Sequence, residues 1–415
     1  MTTSQLPPAD SSTSPAGDRP LAVGIVGLGR SGWNIHAKTL AQMPGRFRIA
    51  AVCDPETTRR EEAREVYGCA VFETFEQLIA AGGLDLVVVA SPNHLHTDHS
   101  IAALAEGCHV VCEKPFALSI EDADRAIAAA EQYDRVLSPF QHRRYEDHFL
   151  KVQQLIASGE LGQIVHVRLT WHQFTRRWDW QTLSRFGGGL LNNNGSHLLD
   201  HALQLLPADT EPEVFADLQR VLSLGDTEDH VKIVLRSPGQ PTIEVELSNA
   251  CAFPQDRYLI MGSRGGLRGN PDRLEWRTVD FADLPERELE TAAATGRQYS
   301  TDQITWQQHA WTPAPDEPGA YRRYYDDLYQ TIVAGKPLVI DGPSVRRLIL
   351  TLREALRRSP LVLDASPKGE RSTDRSAHND ASGSSTTASG SRSSKTSVAA
   401  SEDSRAAVAS PGGPH

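Results

Sequence analysis

The sequence predicts an α/β protein, in which a doubly wound parallel sheet is followed by an antiparallel sheet with helices. Three observations predict it. Apolar β-type runs alternate with helical stretches from Leu21 to Phe140, the order that parallel neighbours joined by crossover helices require. From Glu213 to Met261 strand-like runs follow one another with no helix between them. The first strand runs straight into a glycine-rich turn.

In order, Leu21–Val26 is an apolar strand, and the amphipathic stretch Ser31–Met43 ends at Pro44-Gly45. Phe47–Cys53 reads as a strand, Pro55–Val66 as a helix, Ala70–Phe72 as a short strand and Thr74–Ala81 as a helix. Leu84–Ala90 reads as a strand, and its stretch Leu86–Ala90 is unbroken and apolar, as in a parallel strand covered on both faces. Helix Asp98–Glu106, strand Cys108–Cys112, helix Ser119–Gln132 and strand Val136–Phe140 complete the alternation. Then come helix Tyr145–Ser158, the period-two strand Ile164–Trp171 and a helix near His197. Strands Glu213–Ser223, Asp229–Leu235, Thr242–Ser248 and Arg257–Met261 follow, and helices Ala320–Ala334 and Ser344–Arg358 close the body.

Composition narrows the function. The 415 residues carry 42 basic and 53 acidic side chains, a net −11, which is not the footprint of a nucleic-acid binder. No apolar run approaches the ~18 residues of a membrane span. Five cysteines, none in a CxxC pair, argue against a disulfide framework and against a zinc or dithiol site. Met1–Pro20 lacks the apolar segment of a signal peptide, so the expectation is a cytoplasmic, thiol-reduced protein. Ser366–His415 holds 14 serines and no aromatic, Leu or Ile, too little apolar surface to order. The expected division is a disordered arm at 1–19, a nucleotide domain at 20–142, a substrate and oligomerisation domain at 143–363 and a disordered tail at 364–415.

Gly27-Leu28-Gly29-Arg30-Ser31-Gly32 is a GxGxxG between a strand and a helix, the context in which the pattern binds a dinucleotide. Gly27 allows the tight turn, Gly29 lets a pyrophosphate approach the backbone and Gly32 permits close helix packing. Arg30 and Ser31 open the helix, whose free N–H groups and positive dipole end favour a phosphate. Asp54, 22 residues after Gly32, stands where an acid meets the ribose hydroxyls. A carboxylate there repels a 2′-phosphate, so NAD is expected over NADP, with Arg59 and Arg60 facing solvent.

Ser91-Pro92-Asn93-His94-Leu95-His96 and Glu113-Lys114-Pro115 each follow a parallel strand, at the carboxyl ends where open α/β sheets bind ligands. Together with the glycine loop and Gly187–Asp200 (GGGLLNNNGSHLLD), in this order, they resemble the Gfo/Idh/MocA oxidoreductases over roughly residues 21–360. The resemblance implies an N-terminal Rossmann domain and a C-terminal α/β domain on a large, mostly antiparallel open sheet. It implies homodimers or homotetramers formed through that sheet, and hydride transfer with sugars, inositols and polyols. It places Lys114 by the nicotinamide and the reacting hydroxyl, has Glu113 help fix the cofactor, and makes Pro115 cis. Pro92 and Asn93 would line the nicotinamide ribose, with Ser91 and His96 in the same cofactor loop. His197 would be the acid/base of a D-x-G-x-H run, in which the aspartate falls on Asn193.

The chemistry also follows from the residue types. Taking a hydride from a carbinol carbon leaves a proton on its oxygen, so the site needs a base near the operating pH, as an unperturbed histidine is. A lysine stabilises the developing alkoxide, its own pKa lowered by burial. An aspartate at 193 would raise the pKa of His197; Asn193 can orient the ring but adds no charge. The expected activity is an NAD-dependent dehydrogenase of a cyclic polyol, sugar or glycoside hydroxyl. The alternatives are an NAD-recycling sugar lyase or glycoside-cleaving enzyme, and a non-catalytic NAD-binding regulator, which Asn193 makes less remote than usual.

Other candidates read as structural. His94, His96 and His99 surround the cofactor rather than bind metal, and His197 and His201 share a helix face without a zinc motif. Asp200 and His201 are weighed as pocket residues, and Arg143 as a brace of the domain junction. Trp171, His172, Trp178 and Trp180 read as core or subunit-interface packing, with a platform for a sugar ring as the alternative.

Overall fold

In the computed structural model, residues 19–291, 299–315 and 319–359 are described. The expected N-terminal arm up to residue 18 and the serine-rich tail lie outside them. The first sheet contains β1 (Leu21–Val26), β2 (Phe47–Cys53), β3 (Ala70–Phe72), β4 (Leu86–Val89), β5 (His109–Cys112) and β6 (Leu137–Pro139). Its order is β3-β2-β1-β4-β5-β6 and every pairing is parallel. This is the doubly wound order, reversing between β1 and β4.

Helices cross between the strands. A π-helical turn at Gly32–Ala37 leads into α1 (Lys38–Ala41); α2 (Thr57–Tyr67), α3 (Phe75–Ala81), α4 (His96–Ala105) and α5 (Ile120–Gln132) follow. Two of these begin where a side chain satisfies a free N–H. Thr74 closes a capping box with Gln77, and the Ser119 hydroxyl accepts from the Asp122 amide. All four residues of β4 are buried, as its unbroken apolar run requires.

A second sheet follows α6 (Asp147–Ala157), with β7 (Ile164–His172) at its centre and α7 (Ser196–Gln204) against one face. It adds β8 (Glu213–Gln219), β9 (His230–Arg236), β10 (Thr242–Ser248), β11 (Tyr258–Gly262), β12 (Gly265–Asn270), β13 (Arg273–Thr278) and β14 (Gln307–Trp311). The order is β14-β13-β12-β11-β7-β10-β9-β8, antiparallel except where β7 meets β10. The last three strands are absent from the sequence reading. β12 is glycine-rich because its neighbours come too close for side chains: a Cβ on Gly269 would lie 2.2 Å from the Arg273 carbonyl oxygen.

Two hydrophobic cores form, one around each sheet. Helix α8 (Ala320–Ala334) returns to the first, burying Tyr324, Tyr325 and Leu328 there. Helix α9 (Gly342–Arg358) serves both, with Val345 and Ile349 in the first core and Leu348 and Ala355 in the second. All five cysteines are free thiols, four of them buried. No described helix is long and apolar enough to cross a membrane.

The chain leaves β6 through a 3-10 turn, His142–Tyr145, which lies against α7. There the buried Arg144 donates from Nε and Nη2 to both oxygens of the buried Asp200, at 2.8 and 2.7 Å, and from Nη1 to Ser344 Oγ of α9. The junction brace expected at Arg143 is therefore made by its neighbour, and Asp200 is consumed by it rather than lining a pocket. Asp200→Asn or Arg144→Met leaves a charge buried without its partner. Either should destabilise folding by ~3–5 kcal/mol, read from the denaturant midpoint. An unchanged midpoint would show that the pair does not hold the junction.

Candidate active site

The glycine loop shows why each glycine is there. Gly27 has φ +90°, and a Cβ on it would lie 2.5 Å from the Ala90 carbonyl oxygen. A Cβ on Gly32 would lie 1.9 Å from the carbonyl oxygen of Gly27, whereas at Gly29 nothing stands within 4 Å. Two glycines thus serve packing and the third leaves open space beside a helix N-terminus, where Arg30 is exposed and Ser31 half-buried. That cradle fits a dinucleotide pyrophosphate.

Asp54 is buried at the end of β2, and its carboxylate ties the loop down. Oδ2 accepts from the Leu28 amide at 2.7 Å and Oδ1 from the Glu56 amide at 2.9 Å. Arg59 is exposed to solvent as expected, while Arg60 is half-buried, and both reach back to the end of β2. Arg59 Nη1 lies 3.4 Å from Asp54 Oδ2, and Arg60 donates to the Asp54 and Pro55 carbonyls. A carboxylate and two guanidinium groups therefore share the end of β2 beside the glycine loop.

The two loops after β4 and β5 are bound together by one side chain. His96 is 1% exposed, with Nδ1 2.8 Å from the Pro115 carbonyl oxygen and Nε2 2.8 Å from that of Ser91. Both contacts are to acceptors, so both ring nitrogens must carry protons. His96 thus lies beneath the loops and joins them, while the exposed Pro92 and half-buried Asn93 stay at the mouth. His99 stacks on Phe75 and reaches the Ser91 hydroxyl. Among the described residues no group of three His, Cys, Asp or Glu side chains could hold a metal ion.

The Lys114–Pro115 peptide bond is cis, as the resemblance implied. Glu113 faces inward. Its Oε1 lies 3.1 Å from His36 Nε2, its Oε2 accepts from the Lys114 amide at 2.9 Å, and His36 Nδ1 lies 2.6 Å from the Tyr325 hydroxyl. Burial opposes the charge on Glu113, but hydrogen bonding and attraction from His36, the Lys114 amide and His142 together outweigh it and hold the carboxyl down at about 2. Glu113 is thus an anion that fixes the main chain of Lys114.

Lys114 Nζ lies 3.3 Å from the main-chain oxygen of Asn193, in the π-helical turn Leu191–Gly195 that opens α7. Four residues on, His197 is buried, with Nδ1 3.2 Å from Gln141 Oε1. Nδ1 therefore donates to Gln141, and Nε2 is the lone-pair nitrogen. Orientation of the ring, assigned to Asn193 from the sequence, falls to Gln141; Asn193 contributes its carbonyl to the lysine instead.

Burial lowers the pKa of Lys114, opposed by Glu113 and reinforced by Arg143 and Arg30. His197 is held well below the usual histidine range by burial and by Lys114, Arg143 and His142. The ring is neutral at physiological pH, not a base titrating near 6.5 as the residue type suggested. His142 packs on His197 with ring centroids 5.8 Å apart, and burial lowers it to about 4.

Arg143 turns toward this cluster, pairing with Glu146 and lying over Trp171. His201 stacks on Phe149 with Nε2 2.9 Å from the Arg143 carbonyl oxygen, so it belongs to the packing of α7. The tryptophans do not form one cluster. Trp171 is half-buried beside the site, whereas Trp178 and Trp180 are 76% and 56% exposed, which overturns core packing for both. His36, Gln141, His142 and Arg257 went unread. Gln141 and His142 had a usable signal, because they follow β6 at the same edge of the sheet as the other two loops.

The parallel sheet, the open glycine cradle and a lysine at the sheet's carboxyl edge define a nucleotide-dependent oxidoreductase. Comparison makes the class specific: residues 21–141 match the NAD-binding Rossmann fold of the GFO/IDH/MocA oxidoreductase family, and residues 149–268 match the family's C-terminal domain. The chain belongs to this family. It is 28% identical over 342 residues to the uncharacterized oxidoreductase C115.03 of Schizosaccharomyces pombe, covering 76% of this chain and 90% of that one. It is 25% identical to the NADP-linked scyllo-inositol 2-dehydrogenase IolW of Bacillus subtilis, across 83% of this chain and 96% of the relative. D-glucoside 3-dehydrogenase of Escherichia coli is 32% identical over 194 residues, 45% of this chain and 54% of its own. Among solved structures, an NAD-binding protein from Listeria innocua shares the fold at TM-score 0.69 and 22% identity, covering 82% of this chain and 97% of that one.

The doubly donating His96 gives a pH dependence of stability. Burial pushes its pKa down, but the neighbouring Cys112 and the two carbonyls raise it to about 9. A folded pKa above the unfolded ~6.5 makes the contribution complete below that value and progressively lost as pH rises through about 9. Unfolding free energy should therefore fall by ~2 kcal/mol between neutral pH and about 9, and His96→Gln should flatten that loss. A wild-type profile as flat as the variant's would show that the ring is neutral.

Proposed function

We propose that the protein is a nicotinamide-dependent dehydrogenase of a sugar or polyol hydroxyl, with Lys114 and His197 meeting the reacting group. The observation that carries this reading is the approach of Lys114 Nζ to within 3.3 Å of the Asn193 main-chain oxygen, one helical turn before His197. Lys114 leaves the end of β5, His197 sits on α7, and Lys114 is among the charges that depress His197. The names of the inositol and glucoside dehydrogenase relatives support the substrate class.

A bound nicotinamide supplies the hydride acceptor. The residues handle the proton and the charge. Lys114 Nζ stabilises the oxygen that becomes negative as the hydride leaves, and a lysine with lowered pKa can also take the proton itself. His197 presents neutral Nε2 to the same hydroxyl, its ring fixed through Nδ1 by Gln141. Ser91, Pro92, Asn93 and the cis-peptide loop would flank the ring of the cofactor, and Gly29, Arg30 and Ser31 its phosphates. We read Asp54 as favouring NAD, with Arg59 the group that a 2′-phosphate would meet. The sheet face turned from the helices carries Phe215, Leu259 and Met261, which supports pairing of copies through it.

Lys114→Met should lower turnover by ~10²–10⁴, and His197→Ala should do so within the same range, while cofactor affinity stays near wild type. Reduced nicotinamide, followed by its absorbance across a panel of inositols, aldoses and glycosides, measures this. The rate of oxidation should rise along a limb that lies below lysine's ordinary 10.5, with none near 6.5 from His197. Arg143→Met removes a cation that lowers the lysine, so the limb should move to higher pH. Full turnover in Lys114→Met would refute the assignment.

A further inference from the structure

Close to Arg143, whose charge reaches both proposed reactive groups, lies a cation with no hydrogen-bond or ion-pair partner among the described residues. Arg257, immediately before β11, places its guanidinium carbon 4.1 Å from the ring centroid of Trp171, and that of Arg143 lies 5.2 Å from the same ring. Arg143 is ion-paired with Glu146, which is also 3.1 Å from His148 Nε2. The Arg257 side chain, half-buried, has no hydrogen bond or ion pair among the described residues. Only its main chain is held, its amide by Asn270 Oδ1 and its carbonyl by the Thr170 amide.

A half-buried guanidinium with no acid in direct contact among the described residues is costly; burial lowers its pKa, opposed by Tyr258 and Glu146 and reinforced by Arg143. Stacking on Trp171 holds the planar fork in one orientation and leaves its N–H edge for an acceptor. Arg143 connects the two places, since its charge is felt by Lys114, His197 and Arg257 alike. Among the described residues, Glu146 pairs with Arg143, and Glu113 stands behind the lysine. A planar, pre-oriented guanidinium with a second one beside it is the arrangement that receives a carboxylate or phosphate.

We propose that Arg257 and Arg143 form an oxyanion subsite beside Lys114 and His197, and that the substrate is a sugar or polyol bearing a carboxylate or phosphate group. This rests on the dehydrogenase reading for the neighbouring hydroxyl, but the binding it predicts can be measured without turnover. The protein's net charge of −11 does not oppose it, because the cations are local and the acids are spread elsewhere.

The experiment is calorimetric titration of the full-length protein, with NAD present, using matched neutral and acidic sugars. The pairs are glucose with glucuronate, galactose with galacturonate, and glucose with glucose 6-phosphate. In at least one pair the anion should bind about tenfold or more tightly than its neutral partner, the scale of one charge-assisted hydrogen-bonded pair. A preference confined to the uronates identifies a carboxylate site, and one confined to the ester a phosphate site. Arg257→Met should abolish the preference while leaving the neutral sugar's affinity unchanged. Arg257→Lys, which keeps the charge and loses the fork, should retain part of it and serves if the methionine variant does not fold. Equal affinities in every pair, no measurable binding of any anion, or a preference that survives loss of the guanidinium would overturn the subsite. Reduced nicotinamide is followed in the same samples. Anion preference without its formation would sink the dehydrogenase reading and leave the subsite standing. Turnover of neutral and acidic partners with equal affinity would do the reverse.

Discussion

The buried pair between Arg144 and Asp200 is the constraint on which the arrangement of the site depends. It is one of three successive links between the turn after β6 and helix α7. Gln141 holds His197, the Arg143 carbonyl meets His201, and Arg144 holds Asp200. His197, Asp200 and His201 recur at the i, i+3, i+4 spacing of one helix face, so a single face meets a single turn. The first and last of these links tie the proposed reactive histidine to the strongest polar contact of the junction. Because Ser344 of α9 shares Arg144, the closing helix is fixed by the same side chain.

The other half of the site is also set by hydrogen bonds. Tyr325, His36 and Glu113 form a buried chain that ends on the main chain of Lys114. Tyr325 comes from α8, so the helix that returns to the first core helps to place the lysine loop. His96 then joins that loop to the one after β4. Each half is thus rigid before any ligand arrives, which is the condition for electrostatic stabilisation without reorganisation.

What could be read from the sequence follows from the range of the interactions. The first sheet was legible because its strands are buried on both faces and its helices carry local stop signals such as Pro44-Gly45 and cap residues such as Thr74. The glycine loop was legible for the same reason, since its constraints act within a few residues. Strands β12 to β14 were not: Gly265-Gly266-Leu267-Arg268-Gly269-Asn270 reads as a turn, and only the backbone approach of its neighbours makes it a strand. Arg144 and Arg143 are adjacent, and which of them braces the junction depends on an aspartate 56 residues away. The neutral state of His197 was invisible, because residue type gives the ordinary pKa and only burial beside Lys114 and Arg143 moves it.

The resemblance puts an aspartate where this chain has Asn193, and the structure gives that exchange a physical meaning. Asn193 lies in a π-helical turn, and its main-chain oxygen, not its side chain, reaches the lysine. The lysine therefore keeps an acceptor whichever side chain stands at this position, while the site loses one negative charge. What remains around the reacting position is Lys114, Arg143 and Arg257, against Glu113 and Glu146, each already engaged with a histidine. Burial first, and the neighbouring cations after it, lower the pKa of His197, His142 and Lys114. The cations themselves favour an anion there. A carboxylate at 193 would neutralise part of that field from within the protein. With asparagine there, the compensating charge must come from outside, and Arg257, stacked on Trp171 with its fork unused, is positioned to receive it.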